Sequence, residues 1–153
     1  KNVHHAVEAF RGLPERLVVV GQGDQARSLR ATLPPNVQLL AGLTDAQLRY
    51  TYAHATALVA PSFEDFGLTP LEAAALGAPT LALRAGGYLD TVTEGLNGTF
   101  FPAPTAAAIR DAVIRARTAA WDEAAIRAHA ARFSEPRFHA ELRRRVDELA
   151  GTP

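Results

Sequence analysis

The order in which short apolar runs and helical patterns follow one another constrains this chain most. Four runs of aliphatic residues recur at Leu17–Val20, Val37–Leu40, Ala57–Ala60 and Thr80–Leu83, with a weaker one at Thr99–Phe101. Each is too short for a helix and lacks apolar/polar alternation, the pattern of strands buried on both faces. Helical patterns lie between them. Val3, Ala6, Val7 and Phe10 follow the i, i+3, i+4, i+7 spacing, with Asn2 as the expected N-cap. Asp24–Leu33 reads as a second helix, stopped by Pro34-Pro35, and Thr44 caps a third from Asp45 to about Ala53. Thr69 is expected to cap a fourth, with Pro70 in its first turn and Gly77 just past its end. Strand and helix in alternation predict an α/β domain: a Rossmann-like parallel sheet with helices on both faces. After Pro102 the strands stop, and 105–117, 122–132 and 135–149 form a helical C-terminal end. Ile109, Val113, Ile126, Phe133, Phe138, Leu142, Val146 and Leu149 are its expected packing positions.

A length of 153 residues fits one domain, 1–153. With no cysteine, disulfides, cysteine-ligated zinc and thiol catalysis are excluded. Sixteen basic and sixteen acidic residues leave no net charge to attract nucleic acid or an anionic membrane. No apolar run is long enough to cross a bilayer, and no leader pattern is visible. The chain opens on Lys1 rather than methionine, so a fragment of a longer chain is expected. The five histidines lack metal-ligand spacing and read as surface or packing residues, and Arg143-Arg144-Arg145 reads as a solvated face.

Two segments carry chemistry. Leu17–Val20 runs into Gly21-Gln22-Gly23-Asp24-Gln25-Ala26, a G-x-G-x-x-A turn between strand and helix. Glycines there let a backbone approach phosphate. A dinucleotide site also wants an acid at the end of the next strand, yet Leu39-Leu40-Ala41-Gly42 supplies none before Asp45. The turn therefore fits NAD poorly.

The second segment is Pro61–Gly77. A strand ends at Ala60, an irregular loop follows, and a helix starts near Thr69. The amides around Gly67–Leu71 are free of intrahelical partners and face the carboxyl end of a parallel strand, where open α/β sheets bind ligands. Glu64 precedes these amides and Glu72 follows within the first turn. Anion-binding amides between two hydroxyl-accepting carboxylates suit a nucleoside diphosphate sugar. Thr69-x-x-Glu72 is also a capping-box spacing, so Glu72 has two candidate roles.

Glu64 and Glu72, with seven residues and Phe-Gly-Leu between them, resemble the E-x7-E segment of retaining glycosyltransferases of the GT-B fold, family 4 or group 1. The resemblance runs along nearly the whole chain. Lys1-Asn2 and the helix after it are similar to the family's phosphate-binding lysine and its helix. Leu17–Gly23 resembles its strand and glycine turn, and Asn36–Gly42 its next strand. Ala55–Ser62 resembles A-x-x-x-V-x-P-S, and Gly86-Gly87 with Asp90, Val92 and Gly95 resembles G-G-x-x-E-x-V-x-x-G. Asp90 stands where that pattern has glutamate.

This resemblance implies the C-terminal, donor-binding half of a GT-B enzyme whose opening strand and N-terminal acceptor domain are absent. It implies transfer of a sugar from a UDP- or GDP-linked donor with retention of configuration. Glu64 would accept hydrogen bonds from the donor sugar, and Glu72 from the ribose. The Phe66, Gly67, Leu68 and Thr69 backbone would hold the diphosphate, with Lys1 as cationic partner. Gly21 and Gly23 would line the phosphate side, and Leu43 would stack the base. No D-x-D pair occurs, so no protein-bound metal and no cofactor are expected. A cytoplasmic enzyme follows, at most peripheral to the inner face of a membrane, and the fragment alone is expected to be inactive. A non-catalytic nucleotide- or dinucleotide-binding module and a GT-B-type sugar-nucleotide epimerase are the competing readings.

Overall fold

The computed structural model describes residues 1–23 and 25–151. Its elements run α1 (Val3–Phe10), β1 (Leu17–Val20), α2 (Ala26–Arg30), β2 (Val37–Leu40), α3 (Asp45–Ala53), β3 (Leu58–Ala60), α4 (Leu68–Ala75), β4 (Thr80–Leu83), α5 (Tyr88–Thr91), β5 (Gly98–Phe101), α6 (Ala106–Ala116), α7 (Glu123–Ala131) and α8 (Glu135–Leu149). The alternation anticipated from the sequence is present, and every strand pairing is parallel. The pairs form two sheets, β1-β2 and β3-β4-β5, with Leu17 opposite Val37, Leu58 opposite Thr80, and Thr80 opposite Gly98.

One apolar cluster joins α1, the strands and α6 through Val7, Phe10, Leu81, Leu83, Phe101 and Ile109. A second, smaller one packs Ala74 of α4 against Ile126 and Ala130 of α7, beside Trp121. Helix propensity alone would not hold an eight-residue helix such as α4; its buried face against α7 does.

Several local expectations are corrected. β4 is buried along its length, as two-sided burial requires, but β1 alternates, with Val18 and Val20 exposed. One face of that pair is therefore open. The second helix covers only Ala26–Arg30, and its expected first residue, Asp24, lies outside the described residues. Asn2 does sit at the N-cap of α1, but in the left-handed region (φ 57°) and without a capping bond. Its side-chain amide donates instead to the Pro61 carbonyl at 2.9 Å. Thr44 caps α3 as expected, in a reciprocal capping box with Gln47.

Thr69 does not cap α4. The helix begins at Leu68 behind Gly67, whose φ of 86° suits a residue without Cβ. A Cβ on Gly67 would stand 2.7 Å from the Tyr88 ring, so the chain passes this point only as glycine. α5 has no periodic signal of its own and escaped the sequence reading. α8 has the predicted bounds but no buried residue, and Phe138, Leu142, Val146 and Leu149 remain exposed. No helix among the described residues is long and apolar enough to cross a membrane.

Candidate functional site

The loop from Pro61 to Gly67 links β3 to α4. Pro61 and Ser62 are buried, whereas Phe63, Phe66 and Leu68 are exposed around the mouth of the loop. Glu64 projects from it half-buried. Its Oε1 accepts hydrogen bonds from Lys1 Nζ at 3.0 Å and Ser62 Oγ at 2.8 Å. The tie from Asn2 to the Pro61 carbonyl brings the start of α1 to this loop and with it Lys1. The Lys1 ammonium, and then the Ser62 hydroxyl, hold the Glu64 carboxyl below the usual carboxylate range, against the raising effect of burial. Glu64 is therefore an anion at neutral pH.

Beneath the loop lies the turn at Gly86-Gly87. Gly87 N–H donates to the Glu64 carbonyl at 2.8 Å. A Cβ on Gly87 would stand 2.4 Å from the Asp65 carbonyl oxygen and from two backbone atoms of Phe66. Two glycines in succession permit that approach, and they set Tyr88, at 1% exposure, under Gly67. The Tyr88 hydroxyl lies 3.0 Å from Ser62 Oγ. α7 braces the same turn, because His129 Nε2 meets the Thr91 carbonyl at the end of α5 at 3.1 Å. A carbonyl only accepts, so Nε2 carries the proton.

Glu72 lies in the second turn of α4. Its Oε2 accepts from the Tyr52 hydroxyl of α3 at 3.0 Å. The capping role is excluded, since Thr69 occupies the second helical position rather than the N-cap. Burial, and then the Glu72 charge, push the Tyr52 phenol well above its ordinary value, so it remains a donor. The Leu68 and Thr69 amides belong to the first turn, where no carbonyl four residues back exists within the helix. Lys1, Glu64, Phe66, Gly67, Leu68, Thr69 and Glu72 are thus gathered along one loop and one helix.

Gly21, Gly23 and Leu43 lie on the β1–α2 and β2–α3 connections. No hydrogen bond among the described residues links them to Lys1, Glu64 or Glu72. Gly21 N–H is taken by the Leu40 carbonyl at 3.0 Å, continuing the β1-β2 ladder. Gly23 is exposed, with open space around its Cα. Leu43 precedes the Thr44 cap of α3, at the opposite end of that helix from Tyr52. Among the described residues, no three His, Asp or Glu side chains converge as a metal site.

Ser62, Tyr52 and Tyr88 escaped the sequence reading. Ser62 was a specified position of a quoted motif with no role given to it, and Tyr88 lay at an unspecified position of another. A hydroxyl-bearing aromatic straight after Gly-Gly was the available signal for Tyr88. Tyr52 had none, because its partner is 20 residues away.

Known proteins resemble this chain in sequence and fold. A GDP-mannose-dependent alpha-mannosyltransferase of Corynebacterium glutamicum is 39% identical over 97 residues, covering 60% of this chain and 23% of that protein. The sucrose-phosphate synthase of Thermosynechococcus elongatus superposes with a TM-score of 0.69 at 28% identity, over 85% of this chain and 35% of that one. The pneumococcal O-GlcNAc transferase GtfA, solved with UDP and GlcNAc, superposes with a TM-score of 0.71 at 21% identity, over 99% of this chain and 33% of that one. This chain spans about a quarter of the length of the curated relatives it matches. The model of the glycosyl transferases group 1 matches residues 1–132, which takes in the whole of the loop, both carboxylates and the glycine turn beneath them; the chain belongs to that family.

Proposed function

We propose that this chain is the donor-binding part of a glycosyltransferase that moves a sugar from a nucleoside diphosphate sugar to an acceptor with retention of configuration. The observation that carries this reading is the order of groups along one helix start. The Lys1–Glu64 pair lies before the free first-turn amides, and Glu72 lies after them. A diphosphate over the Leu68 and Thr69 amides would have a sugar on the Glu64 side and a ribose on the Glu72 side. The UDP held by GtfA, which shares the fold, supports a nucleotide in this role.

The chemistry is stabilisation of a leaving group. First-turn amides and the positive end of the helix favour negative charge, and the Lys1 ammonium adds a full one. Lys1 now rests on Glu64, so a bound diphosphate draws the ammonium across or bridges to it. Glu64 is ionised and is no proton donor; it accepts from sugar hydroxyls and fixes the sugar above the diphosphate. Attack on the same face of the sugar, within an ion pair, gives retention without a covalent intermediate. The charge of the diphosphate is met by this chain's own groups, and no metal or cofactor enters the proposal. The missing second-strand acid and the engaged Gly21 amide disfavour a dinucleotide.

Titration with UDP, GDP, ADP and NAD, read by calorimetry and thermal shift, tests the proposal. One nucleoside diphosphate should bind and NAD should not. Binding of NAD alone would overturn it.

A further inference from the structure

Tyr88 is almost wholly buried beneath the loop, and no step described so far uses its hydroxyl. A buried phenol without a partner is costly, and its partner here is Ser62 Oγ, itself buried. The direction of the bonds follows from chemistry. An ionised carboxylate can only accept, so the Ser62 proton points to Glu64 Oε1 at 2.8 Å. That proton is then spent, and Tyr88 must be the donor in the 3.0 Å contact. Burial pushes the Tyr88 phenol up, which keeps its proton in place.

Resting on the donor-binding reading of Glu64, we infer that Tyr88 and Ser62 are positioning residues for the sugar-side carboxylate. They form a one-way chain, Tyr88 OH to Ser62 Oγ to Glu64 Oε1, that sets the rotamer of Glu64 from below while Lys1 approaches from solvent. The backbone supports the same aim. Gly87 N–H fixes the Glu64 carbonyl, so main chain and side chain of Glu64 are both held from the Gly86–Tyr88 turn. Bonds in series polarise one another, so the Ser62 proton is a stronger donor when Tyr88 donates behind it. Among the described residues both bonds fall on Glu64 Oε1, which leaves Oε2 to accept from a sugar hydroxyl. Without it, the carboxylate would follow the exposed and flexible Lys1 ammonium.

The test is the titration of the Glu64 carboxyl by carbon-13 NMR in wild type, Ser62→Ala, Tyr88→Phe and the double variant. Tyr88→Phe keeps the ring beneath Gly67 and removes only the hydroxyl. Ser62→Ala should raise the Glu64 midpoint towards the ordinary carboxylate value, because one of the two donors that lower it is gone. Tyr88→Phe should raise it by less, and in the Ser62→Ala background it should add nothing, because Tyr88 acts through Ser62. A Tyr88→Phe shift that persists without Ser62, or a Glu64 midpoint that neither variant moves, would overturn the inference. In the full-length protein both single variants should lower the turnover number about tenfold at unchanged affinity for free UDP or GDP. Loss of turnover and nucleotide affinity together would assign the pair to the fold instead. Failure of wild type to bind either nucleotide would sink the donor-binding reading and the sugar assignment with it. The titration would still report on the chain of bonds itself.

Discussion

Replacing Gly87 by alanine should unseat the loop that carries Glu64. The added Cβ would lie 2.4 Å from the Asp65 carbonyl oxygen, the Phe66 Cα and the Phe66 carbonyl oxygen. Comfortable contacts of this kind lie at about 3.5 Å, so the loop backbone must retreat by roughly 1 Å. All three obstacles are main-chain atoms, and none can rotate aside. Overpacking of this kind costs about 1–3 kcal/mol. The retreat also stretches the 2.8 Å bond from Gly87 N–H to the Glu64 carbonyl, a loss of about 0.5–1.5 kcal/mol. Against this, alanine reduces unfolded-state entropy and returns about 0.4–1 kcal/mol. The net expectation is destabilisation by about 0.5–4 kcal/mol, against a typical domain stability of about 5–15 kcal/mol. Gly23→Ala is the control, since a Cβ there meets nothing within 4 Å. It should leave stability unchanged or raise it by up to about 1 kcal/mol, the unfolded-state gain without the clash. Urea unfolding of both variants gives the comparison, and nucleotide titration of Gly87→Ala should show weakened binding. Equal unfolding free energies for the two variants would refute the packing argument.

Glu72→Gln should weaken nucleoside diphosphate binding by roughly tenfold to a hundredfold through loss of a charge-assisted acceptor, with a melting temperature close to wild type. Since Glu72 holds no cap, a fall in melting temperature with unchanged affinity would return it to a structural role. Glu64→Ala should cut sugar transfer in the full-length protein by at least about tenfold to a hundredfold. Affinity for the free diphosphate should hold or rise, because the freed Lys1 ammonium can turn to it; calorimetry showing that affinity lost would contradict the sugar-side assignment. For pH, the Glu64 carboxyl is lowered from the ordinary 4.5 by Lys1 first and Ser62 second. Its contribution to stability is therefore complete above that value and is lost as pH falls through the lowered folded one. The gap in urea midpoint between wild type and Glu64→Gln should close over that acid range, and a gap that widened on acidification would contradict the sign.

The elements were legible because their signals are local. Thr44 and Gln47 write a capping box within four residues, and the structure contains it. The aliphatic runs gave every strand to within a residue at either end, and Glu135–Leu149 was read to its bounds. The E-x7-E spacing and the glycine pairs marked the loop, the carboxylates and the family without any knowledge of contacts. Burial was less legible. The same aliphatic composition makes β4 fully buried and β1 half open, since the difference lies in what packs above each strand.

Partner choice was beyond the sequence. Thr69-x-x-Glu72 satisfied the capping-box spacing, yet the ring of Tyr88 and the left-handed turn at Gly67 start the helix two residues sooner. Glu72 then pairs with Tyr52, 20 residues away. Asn2 had the chemistry of a cap and gave its amide to Pro61, 59 residues on. Hydrogen-bonding side chains have several acceptable local partners of nearly equal free energy. Periodicity and spacing, which depend on one turn of backbone, were therefore determined by the sequence alone. The choice among partners was decided by which elements the parallel crossovers brought within 3 Å, and only the tertiary structure determines that.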